Sequence, residues 1–209
     1  MKKRNNNNWI FTISIILTAI VMAFLSFVPV SIEFIKPFIV YFDPTKLLSN
    51  LPLWIFINGI ITLYSHSEKT ATLNTTLFNI VCFVSYCLFS IILTHTMPKE
   101  MFLTWIVFTL IWTIFSYLVW SANQSDSKGW ILSTLLLAIL FSTCFTYTEN
   151  TISNTTILNF LLYVFLVVIL YKGTKETLII VVSSIILAMI LNKFKIQIIF
   201  TKSACIYFN

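Results

Sequence analysis

Charged residues divide this chain into long apolar stretches, and their spacing constrains the fold more than any other feature. A membrane-crossing helix needs about 20 consecutive apolar residues. Charged residues make up 10% of the chain, whereas soluble domains usually carry about 25%. The pattern therefore predicts an all-α fold, a polytopic bundle of transmembrane helices. Asp, Glu, Lys and Arg are absent from residues 5–32, 47–67, 70–98, 101–125, 129–148, 150–171 and 177–192.

The apolar stretches predict about seven spans. The last two are short and are joined by the sequence KGTKE, so a bundle of six spans is the close alternative. We expect a single transmembrane domain at 9–192, between a basic N-terminus at 1–8 and a short basic tail at 193–209. The spans are placed at about residues 9–29, 47–65, 73–94, 102–121, 129–147, 156–171 and 177–192.

The distribution of basic residues predicts the orientation in the membrane. Lys2, Lys3 and Arg4 precede the first apolar run. That run is long for a signal peptide and no clear cleavage site follows it, so we expect an uncleaved span with a cytoplasmic N-terminus. With seven spans, the cytoplasmic side holds seven basic residues and the outer side six, or three without the tail. These features favour a multi-pass membrane protein, and the many Ile, Asn and Lys residues, typical of an AT-rich bacterial gene, favour a bacterial cell membrane.

The segment 31–46, SIEFIKPFIVYFDPTK, raises a separate question because it is apolar and charged at once. Burying Glu33, Lys36, Asp43 and Lys46 at the bilayer centre would cost about 2.5–3.5 kcal/mol each. Its two prolines would also interrupt a spanning helix. We therefore expect an outer-face connection with aromatic residues in the headgroup layer. A lid over a binding site is the alternative.

The residues that catalysis normally requires are absent from the predicted spans. His66 and His95 are the two histidines, and we expect them on opposite sides of the membrane. His66 with Glu68 would supply two ligands, too few for a catalytic zinc site. Ionisable residues that mark pumps and intramembrane proteases do not occur near span centres. We therefore expect a protein that is not an enzyme, with no catalytic residues, no metal site and no cofactor.

The net charge of +6 does not indicate a nucleic-acid partner. The basic residues cluster in the connections between spans, where they set orientation and contact anionic lipid headgroups. We expect the lipid bilayer as the partner, with no nucleic acid and an unidentified membrane protein partner as a further hypothesis. The cysteines form no CxxC pair, so neither a disulfide framework nor a metal cluster is predicted.

Asparagines near the middle of the spans are the candidate site residues. They are Asn58, which precedes Gly59, together with Asn79 and Asn159. An Asn side chain in lipid seeks a partner, and such bonds between helices contribute about 0.6–2 kcal/mol. The first interpretation is that they join helices. The alternative is that Asn58 and Asn79 line a binding site for a small neutral ligand.

The stretch 50–190 resembles an uncharacterised family of small polytopic membrane proteins of Gram-positive bacteria. The similarity consists of a Leu-Pro-Leu-Trp span start, a Ser-x-Ser loop, an Ala-x-x-Asn helix start, a mid-span Tyr, and later Trp and Lys-Gly-Trp. This resemblance implies a membrane-embedded fold and supplies no activity. The residues that carry it are Leu51 to Trp54, Ser65, Ser67, Ala71, Asn74, Tyr86, Trp105, Trp120 and Lys128 to Trp130.

A second resemblance covers 17–60. Ala19-x-x-x-Ala23, then SFVPV, then FDPTKLLSNLP is similar to the start of substrate-binding membrane subunits of energy-coupling-factor vitamin transporters. The resemblance implies that the Ala19 and Ala23 face meets a coupling subunit and that 31–46 covers a ligand. That family has six helices and usually more glycine than the three in this chain.

Three functional hypotheses follow from the sequence. The first is a non-enzymatic integral membrane protein of unknown role, whose helices serve packing and the binding of a partner or lipid. The alternative is a small-molecule transport component, a substrate-binding membrane subunit that depends on an ATPase partner. The third is a membrane-embedded protein of self-protection or stress response that binds a peptide or lipid.

Overall fold

The computed structural model describes residues 8–27, 51–97, 99, 101–144 and 154–193. Within these ranges the chain is helical and contains no strand, as the sequence predicts. The segment 31–46 and most of both predicted termini lie outside the described residues. The helices are α1 Asn8–Leu25, α2 Leu51–Tyr64, α3 Glu68–Thr94, α4 Met101–Val119, α5 Ser127–Cys144, α6 Asn154–Ile169 and α7 Thr174–Lys193, with a 3-10 helix Trp120–Asn123 continuing α4.

Each predicted span overlaps one of these helices, and three stretches are long and apolar enough to cross a membrane. These are Glu68–Thr94, Phe102–Asn123 and Thr174–Lys193. The other four helices are apolar but shorter. The shortest, α2, has 14 residues and measures about 21 Å at 1.5 Å per residue, less than the hydrocarbon thickness of about 30 Å. The three long apolar stretches make the chain suited to association with a membrane.

The turn between α2 and α3 is tight because local hydrogen bonds complete it. Ser67 caps α3: its hydroxyl accepts from the Thr70 amide, and the Thr70 hydroxyl accepts from the Ser67 amide. This reciprocal arrangement satisfies donors that a helix start leaves unpaired. At the far end, His95 adopts a left-handed conformation with φ 55° and donates its amide to Ile91. The caps fix both ends of α3.

Several connections meet at one end of the bundle, which we call the lysine end: residues 65–69, 120–128 and 170–175. The Trp120 indole donates to the Ser65 carbonyl over 2.9 Å. The Lys172 ammonium donates to the Gln124 carbonyl over 2.5 Å. Helix α1 also starts here, because the Thr12 hydroxyl donates to Asn74, close to the start of α3. Successive helices therefore alternate in direction from α2 onward.

The lysine end carries most of the basic residues that the structure describes. Lys69, Lys128, Lys172 and Lys175 belong to it, whereas Lys99 and Lys193 belong to the opposite end. His66 and His95 occupy opposite ends of α3, which is 27 residues and about 40 Å long. The arrangement matches the charge bias that the sequence predicts for the cytoplasmic side.

Helix α2 lies between two packed groups of helices. On one side, α1 packs along α3, and α3 packs on α4. On the other side, α5 packs along α7 and also contacts α6. Residues of α2 belong to both hydrophobic clusters, with Leu53 and Trp54 in one and Ile55 and Leu63 in the other. Among the described residues of α2, Tyr64 is its one exposed large apolar side chain.

The outward faces of the other helices are strongly apolar. Rows of exposed Leu, Ile, Val and Phe run along α1, α3, α4, α6 and α7. Such a surface would be an aggregation hazard in water and suits a lipid environment. Examples are Ile13, Leu17, Val84, Leu88, Ile106, Leu110, Ile114, Phe165, Val168, Val182 and Ile186.

Candidate functional site

The two predicted site residues, Asn58 of α2 and Asn79 of α3, are in direct contact. The Asn79 side-chain amide donates to the Asn58 side-chain oxygen over 3.0 Å. Both side chains are 0% exposed. This contact confirms that the two asparagines join neighbouring helices. It also places two polar side chains in the apolar interior, where hydrogen bonding is strongest.

Neighbouring contacts fix the direction of this hydrogen-bond chain. The Asn58 amide donates to the Trp54 carbonyl over 2.9 Å. Turning either side-chain amide would place two oxygens against each other, so the orientation Asn79 to Asn58 to Trp54 is the favourable one. The Asn79 Oδ1 atom then has no hydrogen-bond partner. In the part of the chain that the structure describes, the other such atoms are Trp130 Nε1 and Asn192 Oδ1.

Polar side chains continue from this pair to the lysine end, forming what we call the α2–α3 seam: Asn58, Thr62, Ser65, Asn74, Thr75 and Asn79. All six are buried. The Asn74 amide donates to the Ser65 hydroxyl over 3.1 Å, and the Ser65 hydroxyl donates to the Ile61 carbonyl. The Thr62 hydroxyl donates to the Asn58 carbonyl over 2.8 Å. The spacing 58, 62 and 65 places the α2 members on one helix face.

Aromatic rings enclose the inner end of the seam. Trp54 lies edge-on to Trp105, with ring centroids 5.3 Å apart, and 6.2 Å from Phe78. Phe83 stacks on Trp105 at 5.7 Å. The Trp105 indole also donates to the Asn79 backbone carbonyl over 2.9 Å. Helices α2, α3 and α4 therefore meet around one amide pair and an aromatic cluster.

A second buried polar pair joins α6 to α7. The Tyr163 and Ser184 hydroxyls lie 3.0 Å apart. Tyr163 is 5% exposed and Ser184 is 0% exposed. The third predicted asparagine, Asn159, is buried in α6 one turn before Tyr163. The Tyr163–Ser184 pair was not expected from the sequence, because Tyr and Ser residues in apolar runs carry no pattern that predicts a contact.

The connection before α5 is built tightly around a glycine. The Asp126 carboxylate accepts from the Gly129 amide over 2.8 Å and so caps α5. A Cβ atom at Gly129 would lie 2.1 Å from the Gln124 carbonyl oxygen. Partial burial lowers the pKa of the nearby Lys172 ammonium, while Asp126 and Glu176 act in the opposite direction. The turn holds the starts of α5 and α7 together.

No cluster of three or more His, Cys, Asp and Glu side chains that could hold a metal occurs among the described residues. Cys82 and Cys87 are buried thiols. His66 is an exposed residue of the α2–α3 turn. Among the described residues, neither thiol is placed beside a histidine that could act as its base.

Residues that carry the first resemblance recur in this region. Trp54, Ser65, Asn74, Trp105 and Trp120 all take part in contacts of the α2–α3 seam or of its ends. The Ser-x-Ser loop is the cap of α3. The sequence features noticed in that resemblance therefore correspond to hydrogen bonds and packing that hold helices together.

The residues of the second resemblance are placed differently from its implication. Ala19 and Ala23 are 0% and 1% exposed and belong to the same packed cluster as Phe78 and Cys82 of α3. The small side chains thus allow α3 of the same chain to approach α1 closely. The face that the resemblance assigns to a coupling subunit is covered within this chain. The proposed lid at 31–46 lies outside the described residues.

Comparison with known proteins gives no relative for this chain. No family model, no curated protein and no solved structure matches it.

Proposed function

We propose that this chain is a multi-pass integral protein of a bacterial cytoplasmic membrane, that it is not an enzyme, and that its helices bind lipid and a membrane protein partner. In this proposal all seven helices cross the bilayer, with the N-terminus on the cytoplasmic side. The lysine end then faces the cytoplasm.

One observation carries the proposal: charged residues of the described chain are confined to the ends of the bundle, whereas its outer sides are apolar. The exposed rows on α1, α3, α4, α6 and α7 would face lipid without any charge to desolvate. Four described lysines at one end against two at the other agree with retention of that end in the cytoplasm.

The test is the side of the membrane on which chosen residues lie. Single cysteines replace His66, Ser125 and His95 in a chain whose own cysteines are changed to Ser, and intact cells are treated with a membrane-impermeant thiol reagent. We expect labelling at position 95 alone. Labelling at 66 or 125 would reverse the orientation, and a cytosolic protein would contradict the proposal altogether. A reporter after Asn209 on the outside would support seven spans, and one on the inside would support six.

A second candidate function is a small-molecule transport component, and the α2–α3 seam favours it. Asn79 Oδ1 is a buried acceptor without a partner, and such atoms are rare in native proteins and call for an explanation, of which a functional role is one. One substitution distinguishes this function from a purely structural contact between helices. Asn79→Leu would slow uptake of the solute about tenfold while the protein remains folded, and unchanged uptake would leave the pair as a structural contact alone.

A further inference from the structure

Two helix triplets in this chain have the same order and the same directions. In the first, α1 and α3 both start at the lysine end and pack along each other, and α2 runs back between them in sequence. In the second, α5 and α7 both start at the lysine end and pack along each other, and α6 runs back. Helix α4 connects the end of one triplet to the start of the next. Neither the composition nor any sequence pattern indicated this repetition.

The two buried polar pairs occupy equivalent positions in these triplets. Asn58 and Asn79 are separated by 21 residues, and so are Tyr163 and Ser184. Adding 105 to the numbers of the first pair gives those of the second. Each pair joins the second helix of its triplet to the third. The lysine end begins at Ser65 after α2 and at Leu170 after α6. Asn58 and Tyr163 each lie seven residues before these positions, which is about 10 Å along a helix.

Residues next to these pairs make the contact between the triplets. A Cβ atom at Gly59, beside Asn58, would lie 4.0 Å from Leu166 of α6. Leu162, beside Tyr163, belongs to the cluster that contains Leu53 and Trp54 of α2. On α2, Asn58 contacts its own triplet and Gly59 faces the other. On α6, Tyr163 contacts its own triplet and Leu162 packs in the cluster of the other. The packing is unequal in detail, because α2 packs on α3, α4, α5 and α6 to similar extents, whereas α6 packs on α5 and α2 and only slightly on α7.

We propose that the chain consists of two three-helix repeats, α1–α3 and α5–α7, and that a small uncharged solute with hydroxyl or amide groups passes along the contact between α2 and α6. Substrate sites of repeat-built membrane proteins lie at the interface between the repeats, inside the bilayer. Asn79 Oδ1 is an acceptor without a partner on the side chain that contacts Asn58 of α2, and the next residue of α2, Gly59, faces Leu166 of α6. The described spans contain no charged residue near their centres, which excludes an ion as the favoured solute. This inference rests on the transport candidate above.

The test uses the purified full chain in proteoliposomes. The proteoliposomes are mixed with glycerol, urea or glucose, and light scattering follows their shrinkage and then their re-swelling as the solute enters. A potassium gradient serves as the ionic comparison. We expect at least one of the three solutes to enter faster than into empty liposomes, and potassium to enter no faster. Ser184→Ala, which removes the hydroxyl that contacts Tyr163, and Asn79→Leu, which removes the acceptor without a partner, should each slow entry about tenfold.

The matched control is Ser116→Ala, because Ser116 is a buried serine of the connecting helix α4 whose hydroxyl donates to Thr113 in the same helix. It should leave entry within about twofold of the original chain. Entry of none of the solutes, in vesicles where the labelling test finds a multi-pass chain, would overturn this inference and leave the membrane proposal intact. Equal entry in Ser184→Ala and Ser116→Ala would overturn the equivalence of the two repeats. Failure of the chain to insert would overturn the membrane proposal itself.

Discussion

Asn79 donates its side-chain amide to Asn58 across the contact between α3 and α2, while its own side-chain oxygen has no partner. The two asparagines are therefore unequal. Asn58 uses both side-chain groups, since it also donates to the Trp54 carbonyl. Removing the Asn58 side chain leaves the Asn79 amide without its acceptor. Removing the Asn79 side chain leaves the Asn58 oxygen without its donor.

This inequality predicts different costs for Asn58→Leu and Asn79→Leu. The first leaves both side-chain groups of Asn79 buried without a partner, and we expect it to lower the free energy of unfolding by about 2–3 kcal/mol. The second removes the unpartnered oxygen together with the bond, and we expect a loss of about 1 kcal/mol. Thermal unfolding in mild detergent measures both, with the exposed Asn123→Leu as the control. Equal losses would contradict the orientation of the amide chain.

Much of the helical layout follows from the sequence, because charge placement alone is a strong signal in a membrane protein. Each predicted span overlaps a described helix, and the ends differ by up to five residues. The largest difference lies at the start of the third span: it is predicted at 73–94, whereas the described helix is Glu68–Thr94. Apolar composition shows which residues can lie in lipid, whereas the first residue of a helix is set by its cap and the preceding turn.

The contacts between helices follow from the sequence much less. Asn58 and Asn79 stand out as polar residues in apolar runs, so their role as a helix contact was predictable. Their pairing with each other was not, because it depends on which helices are neighbours. Tyr163 and Ser184 gave no signal at all, since Tyr and Ser are common in spans. Their relationship becomes visible only when the two triplets are compared.

The glycines provide a second prediction with an internal control. An added Cβ at Gly129 would lie 2.1 Å from a backbone oxygen of Gln124, so Gly129→Ala must displace the turn before α5. We expect a loss of about 1–3 kcal/mol in the free energy of unfolding. Gly59→Ala places its Cβ 3.8 Å from Leu136, an ordinary contact. In a helix that change should be neutral or should stabilise by up to about 1 kcal/mol. If both variants unfold alike, the described turn is wrong.

The indole of Trp105 gives a third prediction. Trp105→Phe keeps an aromatic ring against Trp54 and Phe83 but removes the donor to the Asn79 carbonyl. We expect a loss of about 0.5–1.5 kcal/mol. Trp105→Leu removes the ring contacts as well and should cost about 1 kcal/mol more. Trp9→Phe is the control, because Trp9 is 80% exposed. The expectation fails if Trp105→Phe melts at the temperature of the Trp9 variant.

The packing of α1 on α3 gives the last prediction. Ala19 is fully buried in that contact, so Ala19→Leu must push α1 away from α3 or strain both helices. We expect a loss of about 1–3 kcal/mol in the free energy of unfolding in detergent. Val21→Leu is the matched control, because it adds one carbon at a position of α1 that is 54% exposed. Unchanged stability in Ala19→Leu would mean that α1 does not depend on α3. The Ala19 and Ala23 face would then be open to a partner helix, as the similarity to transporter subunits implies.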